Sequence, residues 1–200
     1  VSAPMTDILI ERDFPADRIY TIYNGIDFKT PIQTVPKEEF LKSVGMEWEP
    51  GDVIAGIAVR LSPVKDVPTL LRAMKIACAQ NPRLKLLIGE DRQKLEAMAK
   101  ELGLSGKVCF AGWLNDVNSF YNAIDINLLT SISETFPYSL TEGTRMHRAT
   151  IASRVGGVPV LIDDGVNGLI FEPGDEKQLA QHLLTLAGDE ELRHTFGERI

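Results

Sequence analysis

Apolar residues fall along the chain in short runs separated by amphipathic stretches. Residues 53–59 (Val-Ile-Ala-Gly-Ile-Ala-Val) form the longest run, and its length and β-branched content predict a strand buried on both faces. Past Ser62-Pro63 the pattern changes. A helix is predicted to open near Pro68, where Leu70, Leu71, Met74, Ala77 and Cys78 recur at helical spacing, and Asn81-Pro82 ends it. The alternation then repeats. A strand is expected at 85–88, a helix over 92–102 closed by Gly103, a strand at 107–111 and a helix at 115–123. A strand at 126–129, a helix at 137–147, a strand at 150–153 and a short helix near Pro159 follow. Asn167-Gly168 turns the chain into 169–171. Asp175 and Gln178 resemble a capping box for a last long helix to about Ala187. Strands spaced by helices in this way predict an α/β fold, a Rossmann-like parallel sheet with helices on both faces.

The first 50 residues break the rhythm. A helical turn over 5–11 leads to 19–23 and then Asn24-Gly25-Ile26-Asp27, and 30–50 is rich in proline and charge. Residues 1–30 read as a hinge with the remnant of a preceding domain, and 31–200 as one Rossmann-like domain. Both ends look like cuts within a longer protein. No targeting segment is visible, and the 53–59 run is far too short to span a membrane.

Charge narrows the partners. With 21 Lys and Arg against 28 Asp and Glu, the net charge is −7. That argues against nucleic acid or an anionic membrane as the main partner. It leaves room for a phosphate ligand, which needs only a few local cations and backbone N–H groups. Cys78 and Cys109 sit among apolar neighbours and read as buried thiols. His147, His182 and His194 have no metal-ligand spacing and read as surface or partly buried helix residues, so no metal site is expected.

The candidate chemistry lies between Ser131 and Glu142. This segment follows a predicted strand, at the sheet edge where such folds bind ligands. With Thr135 as the N-cap or near-cap and Pro137 at the first helical position, Glu134 precedes the helix and Glu142 lies roughly 7–8 Å along it. Two carboxylates then flank a helix N-terminus that favours an anion. Carboxylates bind sugar and ribose hydroxyls, and the helix end receives phosphate oxygens. Alone, the pair reads equally well as a first-turn acid and a solvated helix residue. Arg60 and Lys65 shift the balance. They lie in the loop after the 53–59 strand, on the same sheet edge, and form a natural diphosphate clamp.

These residues carry a resemblance to a known family. The chain from about Ile19 to Ile200 resembles the C-terminal domain of family-4 retaining glycosyltransferases with the GT-B fold. Asn24-Gly25-Ile26-Asp27 is similar to that family's interdomain "NGxD" linker. Arg60 and Lys65 match its "GR…KG" loop, and Glu134 to Glu142 matches its "E-x7-E" motif. Ser153 to Pro159 resembles "S-x-V-G-G-x-P", and Asp164 to Leu169 resembles "DGxNG". Together, in this order and spacing, the five motifs are specific.

The resemblance implies one half of a GT-B enzyme that binds a nucleotide-diphosphate sugar and transfers the sugar with retention. The acceptor would be a sugar, a lipid-linked sugar or a polysaccharide. Arg60 and Lys65 would hold the diphosphate, and Glu134 would contact the transferred sugar with main-chain groups near Phe136. Glu142 would hold the ribose hydroxyls, and Gly112-Trp113-Leu114 would contact the base. Catalysis would rest on Glu134, Lys65 and Arg60 with no cofactor and no metal. The acceptor domain would lie outside this chain and would make any membrane contact, and the location would be cytoplasmic. The fragment alone would be inactive. Two other readings are a GT-B nucleotide-sugar epimerase and a non-catalytic nucleotide-binding module.

Several positions depart from the family pattern. Val59, Asp66 and Pro137 stand where glycine is usual, Gly89-Glu90-Asp91 lacks a second glycine, and 143–148 replaces a run of small apolar residues. Gly156 and Gly157 are expected to allow a tight turn.

Overall fold

The computed structural model describes residues 3–22, 25, 27, 29–60, 62–89 and 93–200. Six parallel strands form one sheet: β1 (Val53–Ala58), β2 (Leu84–Gly89), β3 (Val108–Phe110), β4 (Ile126–Leu129), β5 (Ala149–Ser153) and β6 (Leu169–Phe171). Their order is β3-β2-β1-β4-β5-β6, with all five pairings parallel. The order reverses between β1 and β4. At that switch point the connections leave toward opposite sides and open a crevice beyond the C-terminal strand ends.

Helices cover both faces, as the strand pattern predicts. Successive β1 residues explain how. Val53, Ala55 and Ile57 point into one core, with α3 (Val67–Gln80), α8 (Glu176–Gly188) and α9 (Glu190–Arg199) packed on it. Ile54 points into the other, against α2 (Lys37–Ser43) and α5 (Val117–Ala123). Leu129, Ala152 and Ile170 continue that second face under α6 (Tyr138–Arg145) and α7 (Val158–Leu161). A strand whose neighbours face two dry cores has no polar side. The 53–59 run therefore shows no alternation, although its side chains alternate.

The differences from the sequence-based expectations have physical reasons. Residues 30–50, for which the proline- and charge-rich sequence predicts no element, contain α2, whose Phe40 and Leu41 are buried. The helix is only seven residues long, and tertiary packing rather than propensity holds it. The expected capping box at Asp175 is half formed. Asp175 accepts from Lys177 N and Gln178 N, but the Gln178 side chain accepts from Glu172 N instead of returning to the cap. Cys78 and Cys109 are only partly buried, at the margins of the two cores. His147 is not helical. It ends the turn after α6 with φ 54°, which lets the chain reverse into β5. The remaining predicted elements occur within a few residues of their expected bounds; α4 (Gln93–Glu101) lies within the expected 92–102, of which residue 92 is outside the described residues.

Before α2, α1 (Ala3–Glu11) leads through a 3-10 turn at Ala16–Arg18, and Thr6 shares a hydroxyl hydrogen bond with Thr21. Asn24 and Ile26 of the expected linker lie outside the described residues. Asp27 accepts from Lys29 N and Thr30 N and from the Thr30 hydroxyl, which holds its carboxyl below the usual range.

Candidate donor-binding site

The loops that leave β1, β3 and β4 and the C-terminal end of β2 converge at the switch point around a cavity of about 610 Å³. All seven predicted site residues line it: Arg60, Lys65, Trp113, Leu114, Glu134, Phe136 and Glu142.

The Lys65 side is shaped by backbone strain. Asp66 has φ 43°, in the left-handed region where glycine is free of penalty. This is the physical reason a glycine is usual here. Asp66 offsets the strain by capping α3, its carboxylate facing Thr69 N at 3.4 Å. Two bonds then tie this loop to the end of β4. The Thr130 hydroxyl donates to Lys65 O at 2.7 Å, and Ile132 N donates to Val64 O at 2.8 Å. Lys65 Nζ reaches Glu134 Oε1 at 2.5 Å, both side chains largely shielded from solvent.

Glu134 is held from three directions. Its Oε1 also accepts from the Ser131 hydroxyl at 2.7 Å. Behind it, Gly156 has φ 48°, and a Cβ there would lie 1.8 Å from the Glu134 carbonyl oxygen. The neighbouring Gly157 N donates to Thr135 O at 3.0 Å. The double glycine thus makes a turn, as expected, and also lets the β5 loop close onto the Glu134 backbone.

That contact corrects the expected cap. Thr135 is drawn toward Gly157 and does not cap α6. Pro137 is the N-cap, extended at ψ 120° with no side-chain cap bond, and the first helical residue is Tyr138. Glu142 consequently lies about 6 Å along the helix, a little less than expected. Among the described residues no side chain accepts from the first N–H groups of α6, and Pro137, Tyr138 and Ser139 line the cavity. An uncapped helix start of this kind presents N–H groups and the positive end of the dipole to an anion.

Glu142 is approached from below by Tyr121, a fully buried residue of α5. The phenol lies 3.2 Å from Glu142 Oε2 and 3.1 Å from Ser139 O. Burial pushes its pKa well above the ordinary value, and the Glu142 charge adds to the effect. On the far side, Leu114 lies across the end of β2, where a Cβ on Gly89 would come within 2.2 Å of its Cδ1. Trp113 is 73% exposed at the rim. Glu90 and Asp91 lie outside the described residues.

Sequence reasoning left Tyr121 and Ser131 without a role. Tyr121 hides in an apolar helix face; Ser131 opens the 131–142 segment, three residues before Glu134. No group of three or more His, Cys, Asp or Glu among the described residues could hold a metal ion.

Residues 45–200 match the family described as glycosyl transferases, group 1. The chain belongs to this family. Among curated relatives it is 30% identical over 192 residues to N-acetyl-alpha-D-glucosaminyl L-malate synthase of Bacillus anthracis, covering 92% of this chain and 48% of that protein. The chain spans 33%, 44% and 48% of the length of three curated relatives it matches. Among solved structures it superposes on Anabaena HepE in complex with UDP-glucose, with a TM-score of 0.87 and 25% identity, over 98% of this chain and 55% of that one. It also superposes on the C-terminal domain of LpcC, a group 1 glycosyl transferase family protein from Francisella tularensis. There the TM-score is 0.72 and the identity 25%, over 87% of this chain and 93% of that one. The six-stranded parallel sheet is thus the Rossmann-like half of a GT-B fold. Among the described residues no helix is long and apolar enough to cross a membrane.

Proposed function

We propose that this chain is the donor-binding half of a retaining glycosyltransferase that takes a nucleotide-diphosphate sugar. The observation that carries the reading is the convergence of Arg60, Lys65, Glu134, Glu142 and the uncapped start of α6 on one cavity at the switch point. Arg60 and Lys65, with the first N–H groups of α6, hold the diphosphate and stabilise its charge as the sugar departs. Pro137 contributes no N–H, so Tyr138 supplies the first. Glu134 accepts from hydroxyls of the transferred sugar beside the main chain at Phe136. Glu142 accepts from the ribose, and Gly112, Trp113 and Leu114 bound the space for the base. The cations make an obligatory metal unnecessary, and the reaction uses no cofactor. Binding of UDP-glucose by HepE supports the donor class.

Family membership favours transfer over epimerisation. The acceptor site lies in a second, N-terminal domain that completes the enzyme, and residues 1–30 form the hinge to it. That domain makes any contact with the inner membrane face, and the enzyme works in the cytoplasm.

Calorimetric titration of UDP, GDP and ADP into the wild type and Lys65→Ala tests the reading. Binding of one nucleotide that weakens in the variant supports it. Binding of none by wild type favours an interaction module that kept the fold. A radiolabelled transfer assay on the chain alone is expected to show no turnover.

A further inference from the structure

Two protein donors converge on a single oxygen of Glu134. Lys65 Nζ lies 2.5 Å from Oε1 and the Ser131 hydroxyl lies 2.7 Å from the same atom. The carboxylate is therefore anchored by one oxygen, and among the described residues no donor reaches Oε2. The two donors differ in what else they serve. Lys65 also lines the cavity, where a diphosphate draws its ammonium toward two or more anionic oxygens. Ser131 is fully buried and is not among the cavity-lining residues.

Ser131 is itself rigidly placed. Its carbonyl accepts from the Ser153 hydroxyl at 2.6 Å, and Ser153 is fully buried in β5. Thr130 and Ile132, on either side of Ser131, bond the carbonyls of Lys65 and Val64. The end of β4 is thus stitched to the loop after β1 and to β5, and the Ser131 hydroxyl has little freedom to turn away. A neutral donor to a carboxylate gives a short charge-assisted bond.

We propose that Ser131 is a positioning residue for Glu134, keeping its carboxylate aimed at the donor sugar once Lys65 engages the diphosphate. The inference rests on the donor-binding reading above. It predicts a selective defect: loss of Ser131 weakens the contribution of the sugar to donor binding and leaves the nucleotide's own contribution intact.

The test is calorimetric titration of the full chain with UDP, GDP and ADP and with the glucose conjugate of each. The quantity read is the ratio of nucleotide Kd to nucleotide-sugar Kd. Ser131→Ala is expected to lower this ratio about tenfold while the Kd for the bare nucleotide changes less than twofold, the size expected for one charge-assisted bond. Ser131→Cys, close in volume and a weaker donor, is expected to fall between wild type and Ser131→Ala, and remains informative if the alanine variant does not fold. Ser153→Ala removes the hydroxyl that holds the Ser131 carbonyl but no contact to Glu134, and is expected to lower the ratio by less than Ser131→Ala does. An unchanged ratio in Ser131→Ala, or an equal loss in Ser153→Ala, overturns the proposal. A wild type that binds nucleotide with no gain from the sugar overturns it as well. A wild type that binds no nucleotide overturns the donor-binding reading itself, and this inference with it.

Discussion

Lys65 and Glu134 are 69 residues apart in sequence, and their charged atoms meet at 2.5 Å across the junction of β1 and β4. Each comes from the loop after a central strand. The pair exists because the sheet reverses its order between these two strands.

The first prediction follows from that pairing. Lys65→Ala removes a cation from the diphosphate and leaves Glu134 without its ion partner. Affinity for the preferred nucleoside diphosphate is expected to fall about 10- to 100-fold, the range for a lost hydrogen bond to a charged group. Isothermal calorimetry measures it. A change below twofold would remove Lys65 from the phosphate site.

Gly156 and Gly165 offer a paired test of the Glu134 wall. Both have positive φ, 48° and 76°, but a Cβ on Gly156 meets the Glu134 carbonyl at 1.8 Å while one on Gly165 meets nothing within 4 Å. Gly165→Ala adds only backbone strain, about 1 kcal/mol. Gly156→Ala adds a clash with rigid backbone and is expected to cost about 3 kcal/mol or more. Urea unfolding midpoints compare the two. Equal losses would mean that the close approach has no energetic weight.

Tyr121→Phe is expected to act at two levels. Removing the phenol frees Glu142 to swing, and nucleotide affinity should weaken severalfold, about one neutral hydrogen bond. The second effect is on pH dependence. The buried phenol has a pKa well above its ordinary 10.0. Below pH 10 both folded and unfolded chains keep the proton. Above pH 10 only the unfolded chain loses it, so stability falls as pH rises toward the folded value. The phenylalanine variant should show a shallower loss of stability from pH 10 upward in chemical denaturation. An identical slope would argue against a buried, neutral phenol.

Asp52 predicts the acid side. Burial alone would raise its pKa, but the Glu49 N–H and the Lys85 ammonium, 3.0 Å away, outweigh burial and hold it below the ordinary 3.8. Its contribution to stability is fully present above pH 3.8 and is lost as pH falls through the depressed folded value. Asp52→Asn leaves Lys85 without its carboxylate partner and is expected to cost about 2 kcal/mol at pH 7, less than a fully buried pair. The difference from wild type should shrink below pH 3.8. A constant difference down to pH 2 would sink the assignment.

Cys78 should be a slow nucleophile. Burial pushes its thiol from 9.0 to about 11, so its thiolate fraction near pH 8 is about 100-fold below that of an ordinary thiol. Timed iodoacetamide labelling followed by peptide mass spectrometry reads the rate at this residue. Labelling as fast as a free cysteine would contradict the burial.

Much of the fold was legible in the residue pattern. An apolar run such as 53–59, bounded by loop signals, has few fates but a central parallel strand, and the motif order from Arg60 to Asn167 points to one family. All the predicted site residues reach one cavity, because side chains at the C-terminal ends of central strands have the crevice as their common neighbour. What local pattern could not reveal depends on contacts between distant segments. The helix α2 is held by packing against α5 that no window of residues 30–50 contains. Pro137 became the cap, and Thr135 did not, because Gly157 reaches Thr135 from another loop. Tyr121 looks like an ordinary helix residue until the packing of α5 beside α6 brings Glu142 to it. Periodicity records which face a residue shows; only the folded chain decides which atom it meets there.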